Sequence, residues 1–179
     1  MSSWLCIGNG TSLNQYEEYI VYNNYDYRIG TKLQMKNAAW NLDYTAAADQ
    51  YAVEEMLKQY PHWRDQIVSR RTAGEQLRVK YPRLHEARDV TGTIQCRWAI
   101  ENGATHITTV AYDSLSNEWQ KHTEWEWLGR NLDTQMYKPD RLEAKRYRLL
   151  HTWSTQIRQL EQLYPEIVWQ HKHRGNINE

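Results

Sequence analysis

The chain begins with an apolar run that leads directly into two glycines on either side of Asn9, in the segment Leu5-Cys6-Ile7-Gly8-Asn9-Gly10-Thr11-Ser12-Leu13. Such glycines allow a tight turn with positive φ and leave backbone amides open to a ligand. Ser12 is positioned to cap the next helix, whose N-terminus favours phosphate or carboxylate groups. Because the same pattern occurs in ordinary tight turns, this segment alone leaves a nucleotide-binding turn and a purely structural turn both open.

Predicted strands alternate with predicted helices along the chain. Apolar and β-branched runs predict strands over residues 4–7, 27–33, 44–48, 66–69, 106–112 and 167–169. Helices are predicted from near Ser12, over 51–60, 73–81 and 141–163, and from Thr91 to a C-terminal cap at Gly103. This alternation predicts one α/β domain of Rossmann-like type, with a mostly parallel sheet and helices on both faces.

Polar residues and turns follow several of these strands. Parallel α/β sheets bind ligands outside the carboxyl ends of their strands, so these residues are expected to share one rim. The helix that starts at Thr91-Gly92 offers a second N-terminus for an anion. The residues expected at this rim and at the two helix starts, as candidates for binding a nucleotide or another ligand, are Gly8, Asn9, Gly10, Thr11, Ser12, Thr31, Asp49, Thr91, Gly92 and Asp113.

Composition limits the classes of function. A chain of 179 residues with 40% apolar content suits one globular domain over 1–179. Lys and Arg number 22 and so do Asp and Glu, so no uniform charge draws the chain to nucleic acid or to an anionic membrane. No apolar run approaches the ~20 residues that span a bilayer, and no signal peptide is evident. Cys6 and Cys96 lie in apolar runs without metal-ligand spacing, which predicts buried thiols, no metal site and a cytoplasmic protein.

Two segments are predicted to lie outside the regular α/β pattern. Residues 114–139 show no clean period, contain several tryptophans and are predicted to form a lid or insertion. Exposed tryptophans there would make a homo-oligomer unsurprising. Residues 170–179 are predicted to form a polar tail. The chain holds 9 Trp and 13 Tyr but no Phe, which fits either Tyr and Trp in core roles or an aromatic ligand pocket.

Three segments, taken in order, resemble the CMP-sialic-acid-dependent sialyltransferases of bacterial lipooligosaccharide synthesis and the related Rossmann-like group that opens with Gly-x-Gly-Pro-Ser-Leu. Residues 8–13 fit the opening motif, with Thr11 at the proline position. Residues 90–92 stand where the family has a Thr-Ser-Gly helix start, with Gly103 and Asp113 at the matching spacing. Residues 151–161 resemble the family segment in which a histidine begins the final long helix.

This resemblance implies that the glycine turn and Thr91-Gly92 hold a cytidine nucleotide, and that His151 is the catalytic base that deprotonates an acceptor hydroxyl. The family's two nucleotide-contacting asparagines fall, by spacing, near Thr31 and Asp49. An aspartate there suits ribose or sugar hydroxyls better than a phosphate or a carboxylate. The nearest candidates for the family's phosphate-contacting tyrosines, and for lid or acceptor contacts, are Trp119, His122 and Tyr147.

The expected activity is therefore metal-independent transfer of a sugar from a nucleotide-sugar donor, preferably a CMP-sugar, to a hydroxyl of an unknown acceptor. The nucleotide sugar is a co-substrate, and no cofactor is expected. Two alternatives stay open on the same fold. One is a magnesium-dependent pterin-type diphosphokinase. The other is a non-catalytic protein that binds a nucleotide or docks a partner.

Overall fold

The computed structural model describes residues 2–84, 86–115 and 154–173. The strands are β1 Ser2–Ile7, β2 Tyr27–Thr31, β3 Tyr44–Ala46, β4 Ile67–Val68, β5 Ala104–Val110 and β6 Val168–Lys172. The α-helices are α1 Glu17–Tyr22, α2 Gln50–Gln59, α3 Arg71–Leu77, α4 Thr91–Glu101 and, over residues 154–163, α5. Short 3₁₀ helices cover Thr11–Tyr16, Lys32–Lys36, Ala38–Trp40, Pro61–Gln66 and Asp113–Leu115.

The six strands form one sheet in the order β4-β3-β2-β1-β5-β6, and every pairing is parallel. From β1 the chain adds β2, β3 and β4 one after another on one side. It then crosses to the other side of β1 and adds β5 and β6 there. The order therefore reverses between β1 and β5, where Ile7 pairs with Val110. This confirms the predicted single Rossmann-like α/β domain.

Helices bury both faces of the sheet. Trp4 and Cys6 of β1 pack in a cluster that contains residues of α4 and α5. The alternate residues Leu5 and Ile7 pack in a second cluster with residues of α1 and of the 3₁₀ helix Thr11–Tyr16 that precedes it. Because residues 4–7 of β1 are covered on both sides, this part of the strand is a continuous apolar run without polar alternation. A third cluster joins α2 to β4, to the helix Lys32–Lys36 and to Ala47 directly after β3.

Several predicted boundaries are wrong at the carboxyl ends of strands. The predicted strand 27–33 ends at Thr31, because Lys32 takes a left-handed conformation with φ 48° that cannot continue a strand. The strand predicted over 44–48 likewise ends at Ala46. In both places the chain turns earlier than the apolar pattern indicates, so the residues that follow lie at the carboxyl edge of the sheet.

The last strand continues into the segment predicted as a polar tail. β6 reaches Lys172, so residues 170–172 belong to the sheet. His171 Nδ1 lies 2.6 Å from Thr109 Oγ1, and its Nε2 contacts the Glu161 carboxylate of α5. Lys172 Nζ lies 4.9 Å from the centre of the Tyr19 ring. These polar side chains join the strand because tertiary partners satisfy them.

Tyr and Trp fill core positions in the described residues, as one of the two interpretations of the composition expects. Trp4 is fully buried and stacks on Tyr27 with ring centroids 4.6 Å apart and on Tyr44 at 5.9 Å. Tyr44 in turn meets Trp98 of α4 edge to face at 5.5 Å. This row of rings replaces the phenylalanines that the chain lacks. Among the described residues, no helix is both long enough and apolar enough to cross a membrane.

The side chain of Gln95 connects α4 to the ends of two strands. It is fully buried, and its Nε2 lies 2.7 Å from Gly30 O and 3.0 Å from Ile7 O. Its Oε1 accepts a hydrogen bond from the Tyr112 hydroxyl. Burial, followed by the nearby thiols of Cys96 and Cys6, raises the pKa of Tyr112 well above its usual value, which keeps that hydroxyl a donor. One amide thus satisfies polar groups of β1, β2 and the segment after β5.

The Gln95→Met variant is expected to lower the free energy of unfolding by about 2 kcal/mol, because methionine fills a similar volume but removes the buried hydrogen bonds of the amide to Gly30 O, Ile7 O and the Tyr112 hydroxyl. Urea denaturation of both proteins measures this difference. The matched control is Gln76→Met, at an exposed position of α3, which is expected to change stability by less than about 0.5 kcal/mol. Equal effects of the two substitutions would contradict this role of Gln95.

Candidate functional site

The glycine turn after β1 lies tightly against the backbone after β5. Gly8 N donates to Val110 O at 2.7 Å, and Gly10 N donates to Ala111 O at 3.0 Å. A Cβ atom on either glycine would come within 2.7 Å of Ala111 O. The expectation of positive φ at these glycines is wrong, because Gly103 is the described glycine that has it. The glycines are required by close packing, and their amides are bonded within the protein.

Ser12 and Asp113 form a second connection between the segment after β1 and the segment after β5. The Asp113 carboxylate accepts hydrogen bonds from the Ser12 amide, at 2.9 Å, and from the Ser12 hydroxyl. The expected capping role of Ser12 is wrong: Gly10 occupies the N-cap, and the Ser12 hydroxyl points to Asp113. Asp113 is 2% exposed. An anionic ligand is predicted at this helix start, but the buried Asp113 carboxylate occupies that position.

Thr31 is buried in a hydrogen-bond network that ties β2 to β1. Its Oγ1 donates to Ile7 O at 2.8 Å. Gln34 accepts from the Thr31 amide at 2.8 Å and donates to Gly8 O at 2.9 Å. Asn9 Oδ1 lies 3.4 Å from the same Gln34 nitrogen. The sequence pattern did not single out Gln34, although Thr-x-x-Gln at 31–34 is the spacing of a capping box, which the structure contains.

Two residues other than glycine adopt left-handed backbone conformations directly after strands of this edge. Lys32 follows β2 with φ 48°, and Ala111 follows β5 with φ 60°. Ala111 N donates to Lys172 O at 2.9 Å, and its carbonyl receives the Gly10 amide, so the surrounding bonds hold the strained conformation. Such strain costs on the order of 1–3 kcal/mol per residue and is concentrated at functional sites.

Lys32 and Asp49 contribute opposite charges at the ends of β2 and β3. Lys32 is 2% exposed. Burial lowers its pKa from 10.5 to about 8, and the negative charge of Asp49 partly opposes that shift. Asp49 is half-buried and occupies the N-cap of α2, but its side chain makes no capping hydrogen bond. Lys32 was not among the predicted site residues, since a single lysine after a strand gives no signal of burial.

The start of α4 lies beside the residue that precedes Asp49. Thr91 Oγ1 accepts a hydrogen bond from Ala48 N at 3.1 Å. Gly92 O accepts one from the Tyr112 hydroxyl at 3.1 Å, and a Cβ on Gly92 would come within 2.9 Å of that ring. Gln156 of α5 fixes the same helix start, accepting from Val90 N at 3.0 Å. Tyr112 and Gln156 were not predicted either, because only the tertiary fold brings them here.

The described residues of the predicted site therefore fall into two neighbouring groups at the carboxyl edge. The first comprises the turn at 8–12 with Thr31 and Asp113, and its members are joined directly or through Gln34. The second comprises Asp49 with Thr91 and Gly92, to which the structure adds Lys32 and Tyr112. Thr11 is described by its backbone alone. Four predicted residues lie outside the described part of the chain, namely Trp119, His122, Tyr147 and His151.

His171 contacts the Thr109 hydroxyl through one ring nitrogen and the Glu161 carboxylate through the other. A hydroxyl, an imidazole and a carboxylate in this order are typical of nucleophilic catalysis. Thr109, however, is fully buried between strands, so its oxygen is closed to a substrate. We interpret this group as a polar connection between β5, β6 and α5. Among the described residues, no three His, Cys, Asp or Glu side chains are grouped so that they could hold a metal ion.

No family model, curated protein or solved structure matches the chain. The resemblance to sialyltransferases accordingly stays a prediction from the three motifs.

The Gly10→Ala variant is expected to lose about 2 kcal/mol of unfolding free energy, because the added methyl group overlaps the backbone of Ala111 and the Asp113 carboxylate. The control is Gly103→Ala, where φ is +85° and no atom lies within 4 Å of the position that the methyl group would take; left-handed strain alone is expected to cost about 1 kcal/mol there. Denaturation in urea compares the two. A smaller loss at position 10 than at position 103 would contradict the packing argument.

The Lys32→Met variant is expected to be more stable than the wild type at pH 7. The folded-state pKa of about 8 lies below the unfolded value, so the cost of the buried charge is fully present below pH 8 and is lost as the pH rises through 10.5. Two to three pKa units correspond to about 3 kcal/mol at pH 7, with less than about 1 kcal/mol remaining at pH 10.

Chemical denaturation of wild type and variant across pH 6.5–10 tests this expectation. The exposed Lys36→Met variant is the control, since both lysines belong to the helix Lys32–Lys36. A stability difference that does not depend on pH, or a less stable Lys32→Met protein at pH 7, would show that Lys32 carries no such cost.

Proposed function

We propose that the chain is a glycosyltransferase-like enzyme that transfers a sugar from a nucleotide-sugar donor, with a CMP-sugar favoured, to an acceptor hydroxyl. The observation that carries the proposal is the reversal of strand order between β1 and β5, because parallel α/β sheets bind ligands outside the carboxyl ends of their strands at such a point. The motif residues Gly8, Gly10 and Asp113 lie there. Their resemblance to sialyltransferase motifs suggests the nucleotide and the reaction.

The nucleotide phosphate is assigned to the start of α4. The Ser12 amide already binds the Asp113 carboxylate, so the first helix is a poor choice for a second anion. The α4 N-terminus at Thr91 and Gly92 lies at the same edge, and the dipole of this 11-residue helix favours negative charge. In this arrangement the turn at 8–10 faces the nucleoside part of the donor.

His151 is the general base in this proposal. The reference pKa of histidine, ~6.5, suits removal of a proton from a hydroxyl near neutral pH. In the sequence His151 comes five residues before Gln156, which contacts the start of α4 through Val90 N and Thr93 Oγ1. Amides and hydroxyls of the chain would stabilise the negative charge on the leaving nucleotide, so that no metal ion is required.

The proposed reaction is assigned to the cytoplasm. Cys6 and Cys96 are both free and buried, and free thiols are typical of reducing compartments. The acceptor is defined only as a compound that carries a reactive hydroxyl.

A thermal-shift screen with CMP, UDP, GDP, ADP and ATP, each with and without magnesium, tests the nucleotide site. We expect stabilisation by CMP without magnesium, of ~2.7 kcal/mol at a ligand concentration one hundred times the dissociation constant. A shift with ATP and magnesium alone would favour the diphosphokinase alternative. The absence of a shift with every nucleotide would reject the proposed site.

The His151→Ala variant separates binding from chemistry. It is expected to keep the CMP-dependent shift while CMP release from CMP-N-acetylneuraminic acid, measured with a panel of hydroxyl acceptors, falls about 10²- to 10⁴-fold. The exposed His62→Ala variant is the control and should retain full turnover. Unchanged turnover in His151→Ala would remove the base from the proposal, and a wild-type protein that returns the donor unaltered would be a binding protein.

A further inference from the structure

One flank of the molecule carries an excess of positive charge that the proposed reaction does not use. The segment between α2 and α4, residues 60–90, contains seven Lys and Arg but four Asp and Glu, although the whole chain is neutral. Two of these four carboxylates already have a cationic partner: Glu75 pairs with Arg71, and the buried Asp89 pairs with Arg97. The segment therefore holds more cations than its own carboxylates neutralise, which attracts anions.

The tertiary fold brings cations of this segment together along β4, the edge strand of the sheet. Arg64 lies in the helix before β4, and its guanidinium donates a hydrogen bond to Leu77 O, directly beside Arg78. Lys80 comes two residues later in the chain. Its amide donates to Ile67 O at 3.1 Å, so Lys80 lies beside β4 on the side away from β3.

The line of cations continues to the carboxyl end of β4. Ser69 N donates to Lys80 O at 2.9 Å, and Arg70 follows Ser69 in the chain. Arg70 Nε donates to Asp89 O at 2.8 Å, which brings Arg88 to the same place. These contacts form a basic stripe that runs from the amino end of β4 to the start of α4. The basic stripe consists of Arg64, Arg78, Lys80, Arg70 and Arg88.

The charges of the basic stripe are accessible and uncompensated. Arg70 is half-buried, and the other four side chains are exposed. Arg64 and Arg70 donate to backbone carbonyls, which orient their guanidinium groups without neutralising them. Within the described part of the chain, the side chains of Arg78, Lys80 and Arg88 form no ion pair or hydrogen bond. All five cations can therefore face a ligand.

The composition and shape of the basic stripe select its ligand. Four of its five members are arginines, whose planar guanidinium groups match phosphate oxygens with paired hydrogen bonds. Cations arranged in a line suit a polymer that carries a phosphate at every repeat. A membrane surface fits less well, because membrane-binding surfaces combine cations with exposed apolar side chains. In the described residues of this segment, Leu84 is the large apolar side chain that is exposed.

We infer that the basic stripe binds the backbone phosphates of a nucleic acid strand. Contacts of this kind hold the strand through its charge and do not read its bases, so binding is expected to tolerate changes of sequence and to weaken steeply with salt. It requires neither a nucleotide-sugar donor nor a catalytic base, and it therefore stands apart from the proposed transfer reaction.

Fluorescence anisotropy of the full chain with a fluorescein-labelled single-stranded oligothymidylate, about 20 nucleotides long, tests this binding over a range of KCl concentrations. Five phosphate contacts predict a slope of about −3.5 in a plot of log affinity against log salt concentration. The Lys80→Gln/Arg88→Gln variant is expected to bind about tenfold or more weakly and to reduce the slope to about −2.

The matched control is Lys36→Gln/Arg158→Gln, which removes the same charge from exposed positions outside the basic stripe. Its affinity is expected to change by less than about twofold. An equal loss in both double variants would overturn the assignment, because net charge alone would then explain binding. The variant Lys80→Glu/Arg88→Glu repeats the test with a larger expected loss, and circular dichroism verifies that each variant is folded.

Two results for the wild type would also overturn the inference. One is the absence of binding to the oligonucleotide at low salt. The other is binding to phosphatidylglycerol vesicles without binding to the oligonucleotide, which would assign the basic stripe to a membrane surface. Neither result affects the proposed nucleotide site, because the thermal-shift screen with mononucleotides measures that site separately.

Discussion

The turn that follows β1 lies directly against the backbone that follows β5, and this contact sets the geometry of the whole carboxyl edge. The amides of Gly8 and Gly10 donate hydrogen bonds to the carbonyls of residues 110 and 111, and the Asp113 carboxylate accepts one from the Ser12 amide. The contact requires atoms to come so close that a single methyl group on Gly8 or Gly10 would overlap Ala111. It also keeps Ala111 in a conformation that is unfavourable for alanine. The group around Thr31 is joined to the same turn, because Gln34 donates a hydrogen bond to Gly8 O.

The sequence pattern predicts the fold well where local and tertiary preferences agree. Residues 4–7 of β1 are a continuous apolar run because both faces of the strand are covered there, and α4 begins and ends near Thr91 and Gly103 as its signals indicate. The pattern fails at β6, where Gln170, His171 and Lys172 have the composition of a tail. Their partners Thr109, Glu161 and Tyr19 are distant in the sequence or on another element, so no local window contains the reason for the strand.

The candidate site was predictable in its location but not in its contacts. The rule that ligands bind at the carboxyl ends of parallel strands brings Gly8, Thr31, Asp49 and Asp113 to one edge from the strand pattern alone. The sequence pattern does not show which of these groups bind one another, because such contacts form only in the tertiary fold. The pairing of Ser12 with Asp113 is an example. The same holds for Lys32, whose burial arises from the packing of separate segments. Gln34 is the exception, because its capping-box spacing is visible in the sequence.

The buried Asp113 carboxylate also has a consequence for the kinetics of ligand binding. Many glycine-rich turns contain open amides that attract water and counter-ions, and a ligand must displace these before it binds. Here the Ser12 amide is occupied by the protein's own anion, and the turn needs no external charge to hold its shape. This part of the edge is therefore preorganised, and a ligand of the proposed site would lose little entropy to loop ordering there. Encounter with such a surface is closer to rigid docking than to coupled folding and binding.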